Sequence, residues 1–358
     1  MTNEINKESQ FDIRDFVIGT LDWALGASVA VTLDTLNTAN HVATALGKRP
    51  VSWKVMGKGV RTHMTNGLVV KTEPIRSRME LGRSILVIPG IGLDHPDLIP
   101  IVSGMPSCSI PPRYSDSNLV SRMEMSDARQ FAQLAKNHHE RGGWVCASCS
   151  GVLVLASAGL LNSRKATTHW QIAGFLTRRF PEVDMDANRM VVEDGRVVTA
   201  GAAMAQMDLM LHLIRMVMGH EVADLTMRYM LIDSRPTQAR YMVWSQLQTS
   251  DETVRDFEAL IESSLAIPIN IGDAAKMLHI TEKTLARRVF KATGHTPMLL
   301  IQSVRMRHVQ HLLETTDLPL EEVAVRVGYA NTTSLRKLTL RFAKTTPGML
   351  RNKTVSDS

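Results

Sequence analysis

Apolar residues along the first 230 positions fall into short runs separated by stretches of helical spacing. DFVIGT (15–20) and Val51–Met56 have the length and composition of strands, and SILVIPG (84–90) is a continuous apolar run ending in Pro-Gly. Such a run marks a strand buried on both faces of a parallel sheet. Val29–Leu46, with Leu33, Leu36, Ala39 and Ala43 in register, predicts a helix, and Asn66-Gly67 is a turn signal for a hairpin that includes Leu68–Lys71. A helix at about 126–140, a strand at 143–148 and a further helix from Ser150 continue the alternation. Strands alternating with helices predict an α/β doubly wound, flavodoxin-like N-terminal domain. Leu98–Ser126, rich in Pro, Ser and Met, breaks the pattern and reads as a long surface insertion, with a lid or a partner contact as the alternative.

After residue 252 the period is helical throughout, and one format occurs twice. In IGDAAKMLHI-TEKTLARRVFKATG, Ala274, Ala275, Met277 and Leu278 supply a short apolar face and Thr281 an N-cap. Leu285 and Val289, with Ala286 and Phe290 beside them, form the inner side of the next helix. Lys283, Arg287, Arg288 and Lys291 fall on the other arc. The format returns in LPLEEVAVRVGY-ANTTSLRKLTLRF. There Pro319, Glu321 and Glu322 suit a first helical turn, Asn331 or Thr332 the next cap, and Arg336, Lys337 and Arg341 the exposed arc. A helix from about Pro297 to Glu314 joins the two units. The expectation is an all-α, tandem helix–turn–helix C-terminal domain.

Charge separates the two halves. The chain carries 41 Lys+Arg against 35 Asp+Glu, but residues 265–358 hold 14 basic and 7 acidic residues, leaving 27 and 28 for the rest. Positive charge confined to the helical tail is what a surface that meets phosphates alone requires. A hydrophobic content of 44% with 21% charged residues is ordinary for a globular protein. The polar start MTNEINKESQ is not read as a signal peptide, and no apolar run suggests a membrane span. Three cysteines argue against a disulfide scaffold. Together these predict a cytoplasmic protein without membrane partners.

The tail resembles the AraC/XylS-type DNA-binding domain over 252–351. The residues that carry this are Ala275, Leu278, Ile280 and Thr281, then Thr284, Leu285 and Arg287, and Thr293 to Pro297. Leu312 to Thr316, Val323 to Tyr329 and Thr346 to Arg351 continue the match. The resemblance implies double-stranded DNA as partner, with contacts from Thr281, Lys283, Thr284, Arg287 and Arg288 in the first unit. Asn331, Thr332, Thr333, Arg336 and Lys337 are the counterparts in the second. Leu335 and Thr339 stand where the family has aromatics, and Lys344 where it has glycine, so the second reader is expected to pack or dock differently.

The chemistry of the N-terminal half lies in WVCASCSGVLVLASAGLL. A strand ending just before Cys149 and a helix beginning after Ser150-Gly151 would set the cysteine on a tight turn at the positive end of a helix dipole. That location lowers a thiol pKa and exposes the sulfur. His169, in KATTHW, is placed for return beside the thiol by a following strand. Cys149-Ser150-Gly151, Ala158 to Leu161, Ala166 to Trp170 and Asp194 to Gly201 resemble the class I glutamine-amidotransferase-like fold in its ThiJ/PfpI form. Such a domain ahead of an AraC-type tail is the layout of the GlxA-like transcriptional regulators.

In the hydrolytic relatives an acid from the first strand–helix connection completes the Cys–His pair. Registered on VAVTLDTLNTAN, that position falls on Ser28; Asp34 lies too far along the helix and Asp22 before the turn. The domain is therefore read as a non-enzymatic sensor whose pocket, formed by Ser28, Cys149, Ser150, Gly151 and His169, binds a small metabolite with a carboxylate or amide end, and the resemblance to GlxA-like regulators implies a nitrogenous one. The full reading is a homodimeric transcription activator that engages RNA polymerase. Its sensing and dimerising domain spans 12–232, its linker 233–251 and its DNA-binding domain 252–351. A cysteine-dependent hydrolase and a thiol-oxidation sensor are the alternatives. No cofactor or metal is expected: Gly90-Ile91-Gly92 is too little for a dinucleotide, and Cys146-Ala-Ser-Cys149 has no second ligand pair. Cys146 is read as buried filler, Cys108 has no assigned role, and His138-His139 as a solvated helix face.

Overall fold

The computed structural model describes residues 13–76, 79–93, 115–233, 235, 237–238, 251–267, 269–293, 296–343 and 345–352. They divide into two compact units, one of residues up to 172 with 180–235, the other of 236 onward with 173–179. In the first unit the chain runs β1 (Asp15–Gly19), α1 (Gly26–Ala45), β2 (Ser52–Gly57), β3 (Arg61–His63), β4 (Val69–Lys71), β5 (Glu73–Pro74), β6 (Ser84–Ile88), α2 (Asp116–Glu124), α3 (Ser126–Glu140), β7 (Trp144–Ser148) and α4 (Val152–Ser157). It continues with β8 (Lys165–Ala166), α5 (Trp170–Arg179, of which residues 173–179 fall in the second unit), β9 (Asp184–Met185), β10 (Val191–Asp194), β11 (Val197–Ala200), α6 (Ala205–Met218) and α7 (His220–Tyr229).

The main sheet has the order β10-β11-β7-β6-β1-β2-β5. Every neighbouring pair in it is parallel except β10 with β11. The long parallel strands thus lie in the flavodoxin-like order, with the reversal of winding between β1 and β6. Alternation along each strand divides the sheet's two faces. Phe16 and Ile18, Ile85 and Val87, Trp144 and Cys146, Val198 and Ala200 join Leu36, Ala39, Leu209 and Leu213 in one core with α1, α6 and α7. Helices α2, α3 and α4 pack together, α3 and α4 also against β7. Asn66-Gly67 does turn a hairpin: β3 pairs antiparallel with β4.

Three sequence expectations change here. The 98–126 segment is not all loop: 116–124 is helix α2, capped by Ser115, whose Oγ accepts from the Asn118 N–H at 3.3 Å. Its inward residues are Leu119 and Arg122, and an arginine at a core position hides the apolar period. The rest of that segment up to residue 114, Cys108 included, lies outside the described residues, as does 239–250 of the 233–251 linker. His138 is not solvated. It is buried, its Nε2 donates to the Ser84 carbonyl at 2.9 Å, and burial pushes its pKa below the ordinary histidine value. His169 precedes helix α5; no strand follows it directly, and β8 ends three residues before it.

The second unit contains α8 (Glu252–Ser263), α9 (Ile271–Met277), α10 (Glu282–Thr293), α11 (Pro297–Thr315), α12 (Leu320–Arg326), α13 (Thr332–Ala343) and α14 (Pro347–Asn352). Met306, Val309 and Leu313 of α11 pack with Val323, Ala324, Leu335, Leu338 and Phe342. Met277 and Phe290, expected to face inward, are exposed, because Ala274, Ala275, Leu285 and Val289 already close that small core. Among the described residues no helix is long and apolar enough to cross a membrane, and no group of three His, Cys, Asp or Glu side chains could hold a metal ion.

Candidate functional site

Strand β7 is buried along its whole length and delivers Cys149 directly into a 3₁₀ turn, 149–151, that leads into α4. Cys149 has φ +54°. A side chain in the left-handed region costs about 1–2 kcal/mol and persists only where surrounding bonds impose it. Here the Cys149 N–H donates to the Gly201 carbonyl at 2.7 Å, and the Cys149 carbonyl accepts from Thr168 Oγ1 at 2.8 Å. Ser150 Oγ donates to the Ile91 carbonyl at 2.6 Å. Gly151 is required by close approach: a Cβ there would stand 2.5 Å from the carbonyl oxygens of both Ile88 and Pro89.

The sulfur is more enclosed than the sequence suggested, with Cys149 only 6% exposed. Gly90 lies over it, since a Cβ at 90 would be 3.6 Å from Sγ. The Leu25 N–H donates to the Gly90 carbonyl, and Ser28, fully buried in the first turn of α1, donates through Oγ to the Ala203 carbonyl at 3.2 Å. The segments after β1, β6, β7 and β11 thus interlock at the carboxyl edge of the sheet, where open α/β folds bind ligands. His169 is half-buried. Its Nδ1 accepts from the Gln171 N–H at 3.1 Å, which leaves the proton of the neutral ring on Nε2, and it stacks on Trp170 with centroids 5.6 Å apart. Thr168, beside it, is the residue that bonds to the elbow. Cys146 is buried and free, its thiol pushed well above the ordinary range by burial.

Sequence reasoning missed the brace behind this site. Arg122 is 0% exposed; its Nε donates to the Gly92 carbonyl, Nη2 to the Asp22 carbonyl, and Nη1 and Nη2 to Asp127 at 2.9 and 3.0 Å. The Asp22 N–H donates back to Asp127. One ion pair therefore fixes the segments that follow β1 and β6. Trp23 between them has φ +58°, and a Cβ on Gly92 would fall 1.4 Å from the Trp23 carbonyl oxygen. Gly92 is required by this close approach to Trp23, whereas at Gly90 an added Cβ would lie 3.3 Å from the Cys149 Cβ, a tight contact but not a forbidden one.

The 201–204 segment has a second attachment. Arg235 Nη2 donates to the Met204 carbonyl at 2.9 Å and to Asp208 Oδ2 at 2.6 Å. Burial pushes the Asp208 carboxyl up to about 6 from an ordinary 3.8, against the opposing pull of Arg235. Between those values the folded state holds a proton that the unfolded chain has released. Stability from this group is therefore full below the lower value and falls as pH rises through the upper one. Urea denaturation is expected to show declining stability across that window, and Asp208→Asn to flatten it.

In the second unit, Thr281 Oγ1 accepts from the Thr284 N–H at 3.1 Å and Asn331 Oδ1 from the Ser334 N–H at 2.9 Å. The two basic helices therefore begin on equivalent caps, and of Asn331 and Thr332 it is Asn331 that caps. Lys283, Arg287, Thr333, Arg336 and Lys337 are exposed, Thr284 and Thr332 half-buried. Arg288 is turned back to the start of α8, and Arg341 donates to Gln302 of α11 at 2.8 Å. Helix α11 is held to α8 through Arg307, which bonds Glu258 at 3.3 Å and Glu262 at 2.5 Å. Arg305 stacks on Tyr329, 5.4 Å from the ring centroid, and Gly328 (φ +75°) admits the Leu265 carbonyl there. Leu335 and Thr339 are fully buried, so the core closes without aromatics at those positions; Lys344 lies outside the described residues.

Comparison with known proteins gives two matches to families: a helix-turn-helix domain over residues 274–353 and the DJ-1/PfpI family over 121–216. The HTH-type transcriptional regulator GbdR of Pseudomonas aeruginosa is 26% identical over 60% of this chain and 59% of its own length. The regulator GlxA of Rhizobium meliloti is 26% identical over 58% of this chain and 64% of its own. An isonitrile hydratase of Pseudomonas putida is 31% identical over 28% of this chain and 43% of its own. The chain thus spans less than two thirds of the length of each.

Proposed function

We propose, of a chain that joins a DJ-1/PfpI domain to an AraC-type helix–turn–helix domain, that it is a DNA-binding transcription regulator governed by a small metabolite. The observation that carries the DNA-binding reading is the pair of equivalently capped helices α10 and α13. Each presents exposed cations, Lys283 with Arg287 and Arg336 with Lys337, whose charged side-chain groups make no ion pair or hydrogen bond among the described residues. Two such helices read successive major grooves on one face of a duplex, about one turn (~34 Å) apart. Selection of duplexes from a random library by the full chain is expected to enrich two short blocks at that spacing. Recovery of unrelated sequences, with binding that simply fades with salt, would defeat the reading.

The sensing unit is assigned to 12–232, the linker to 233–251 and the DNA-binding unit to 252–351, with a homodimer contact on the sensing unit and RNA polymerase as the partner of an activator. The effector site is the Cys149 elbow. Its turn N–H groups, His169 and the uncharged Ser28 suit a metabolite with a carboxylate or amide end. The 201–204 segment receives the Cys149 N–H and the Ser28 hydroxyl on one side and Arg235 on the other. It is thereby a route from the pocket to the root of the linker. Cys149→Ala and His169→Gln are expected to fold and bind operator DNA normally while losing ligand-induced thermal shift and transcriptional response. An unaltered response would place the effector elsewhere.

The left-handed φ of Cys149 and the likeness to a hydratase favour a second reading, cysteine-dependent chemistry. Against it, the position of the assisting acid holds Ser28, whose hydroxyl bonds to a carbonyl. A hydrolysis or hydration measurable in the parent and abolished in Cys149→Ala would establish that second reading.

A further inference from the structure

A cleft of about 610 Å³ in the second unit is lined by Asp251, Glu252, Arg287, Arg288 and Lys291. Three cations of the reader helix α10 therefore face two carboxylates at the start of α8. Arg287 and Lys291, spaced i and i+4, are exposed. Arg288 is not directed outward with them: its Nη1 donates to Thr253 Oγ1 at 2.5 Å and to Asp251 Oδ1 at 3.4 Å. The same Asp251 oxygen accepts the Thr253 N–H at 3.1 Å and so caps α8. An anion is thus already seated where a twelve-residue helix begins and where three cations converge, and that anion belongs to the chain itself.

The pairing is built to be displaced. The Arg288 and Asp251 side chains retain 42% and 26% of their exposure, and partly solvated pairs of this kind contribute little. A DNA phosphate presents a full charge, several acceptors and the release of counterions. We propose that this cleft is a site for a DNA backbone phosphate and that Asp251 is an intramolecular competitor for it, holding Arg288 in the DNA-free protein. The inference rests on the DNA-binding reading above and adds a residue outside the basic helices that lowers affinity.

The test uses the full chain and a fixed 30-base-pair duplex of arbitrary sequence, with fluorescence anisotropy read as salt is varied. Asp251→Asn keeps a capping oxygen and removes the charge, and Asp251→Ser is a second capping variant that guards against a folding defect. Both are expected to bind about three- to tenfold more tightly than the parent near 0.1 M salt. The gain should vanish when Arg288 is already alanine, which ties it to that side chain. An equal gain in the Arg288→Ala background would mean a general charge effect, and no gain in either variant would mean no competition; both overturn the proposal. The DNA-binding reading fails separately, by a parent protein that does not bind the duplex at all.

Discussion

Replacing Arg122 with methionine is expected to lower the stability of the first unit by about 3–5 kcal/mol, the usual cost of removing one partner from a buried ion pair. The guanidinium is 0% exposed and its Asp127 partner 4%, so water cannot replace the lost donors. The buried carboxylate would keep only the backbone N–H groups of Asp22 and Ala128, with no cation beside it, and the carbonyls of Asp22 and Gly92 would each lose a donor. Urea denaturation followed by far-ultraviolet circular dichroism measures the loss. Arg122→Met with Asp127→Leu should recover part of it, because the uncompensated charge goes with its partner and only neutral backbone groups, the carbonyls of Asp22 and Gly92 and the N–H groups of Asp22 and Ala128, lose their bonds. A double variant no more stable than the single one would show that the clamp works through its carbonyl bonds and not through the ion pair.

Arg287→Ala and Arg336→Ala should each weaken binding to the selected operator by about 1–3 kcal/mol, if each reads a base edge. The two residues lie on different helices, each starting on its own cap, so their effects should add in the double variant. Lys283→Ala and Lys337→Ala are expected to act differently, weakening all duplexes alike and reducing the salt slope by about one phosphate contact each. Titrations at several salt concentrations against operator and scrambled duplexes separate the two behaviours. Should Arg336→Ala leave specificity intact, the second unit positions the protein on the backbone and the first alone reads sequence.

Much of this architecture was legible without coordinates, and the legible part is local. The continuous apolar run 84–90, the Asn66-Gly67 turn and the caps Thr281 and Asn331 each depend on residues within a turn of one another, so their pattern survives in the linear chain. The elbow at Cys149 was legible for the same reason: a buried strand, a small-residue turn and an apolar helix follow in immediate succession. What tertiary structure alone decided involves partners far apart in sequence. Arg122 reaches back 30 residues to Gly92 and 100 to Asp22, Arg288 reaches 37 to Asp251, and His138 reaches 54 to Ser84. A charged or titratable residue on a helix carries no mark of whether a distant carbonyl or carboxylate will receive it. Hydrophobic periodicity therefore assigns such residues to solvent, and it gives no reason for a glycine at 92. Only the packed fold, which brings distant segments together, supplies the neighbours that receive these side chains and leave no room for a Cβ at Gly92.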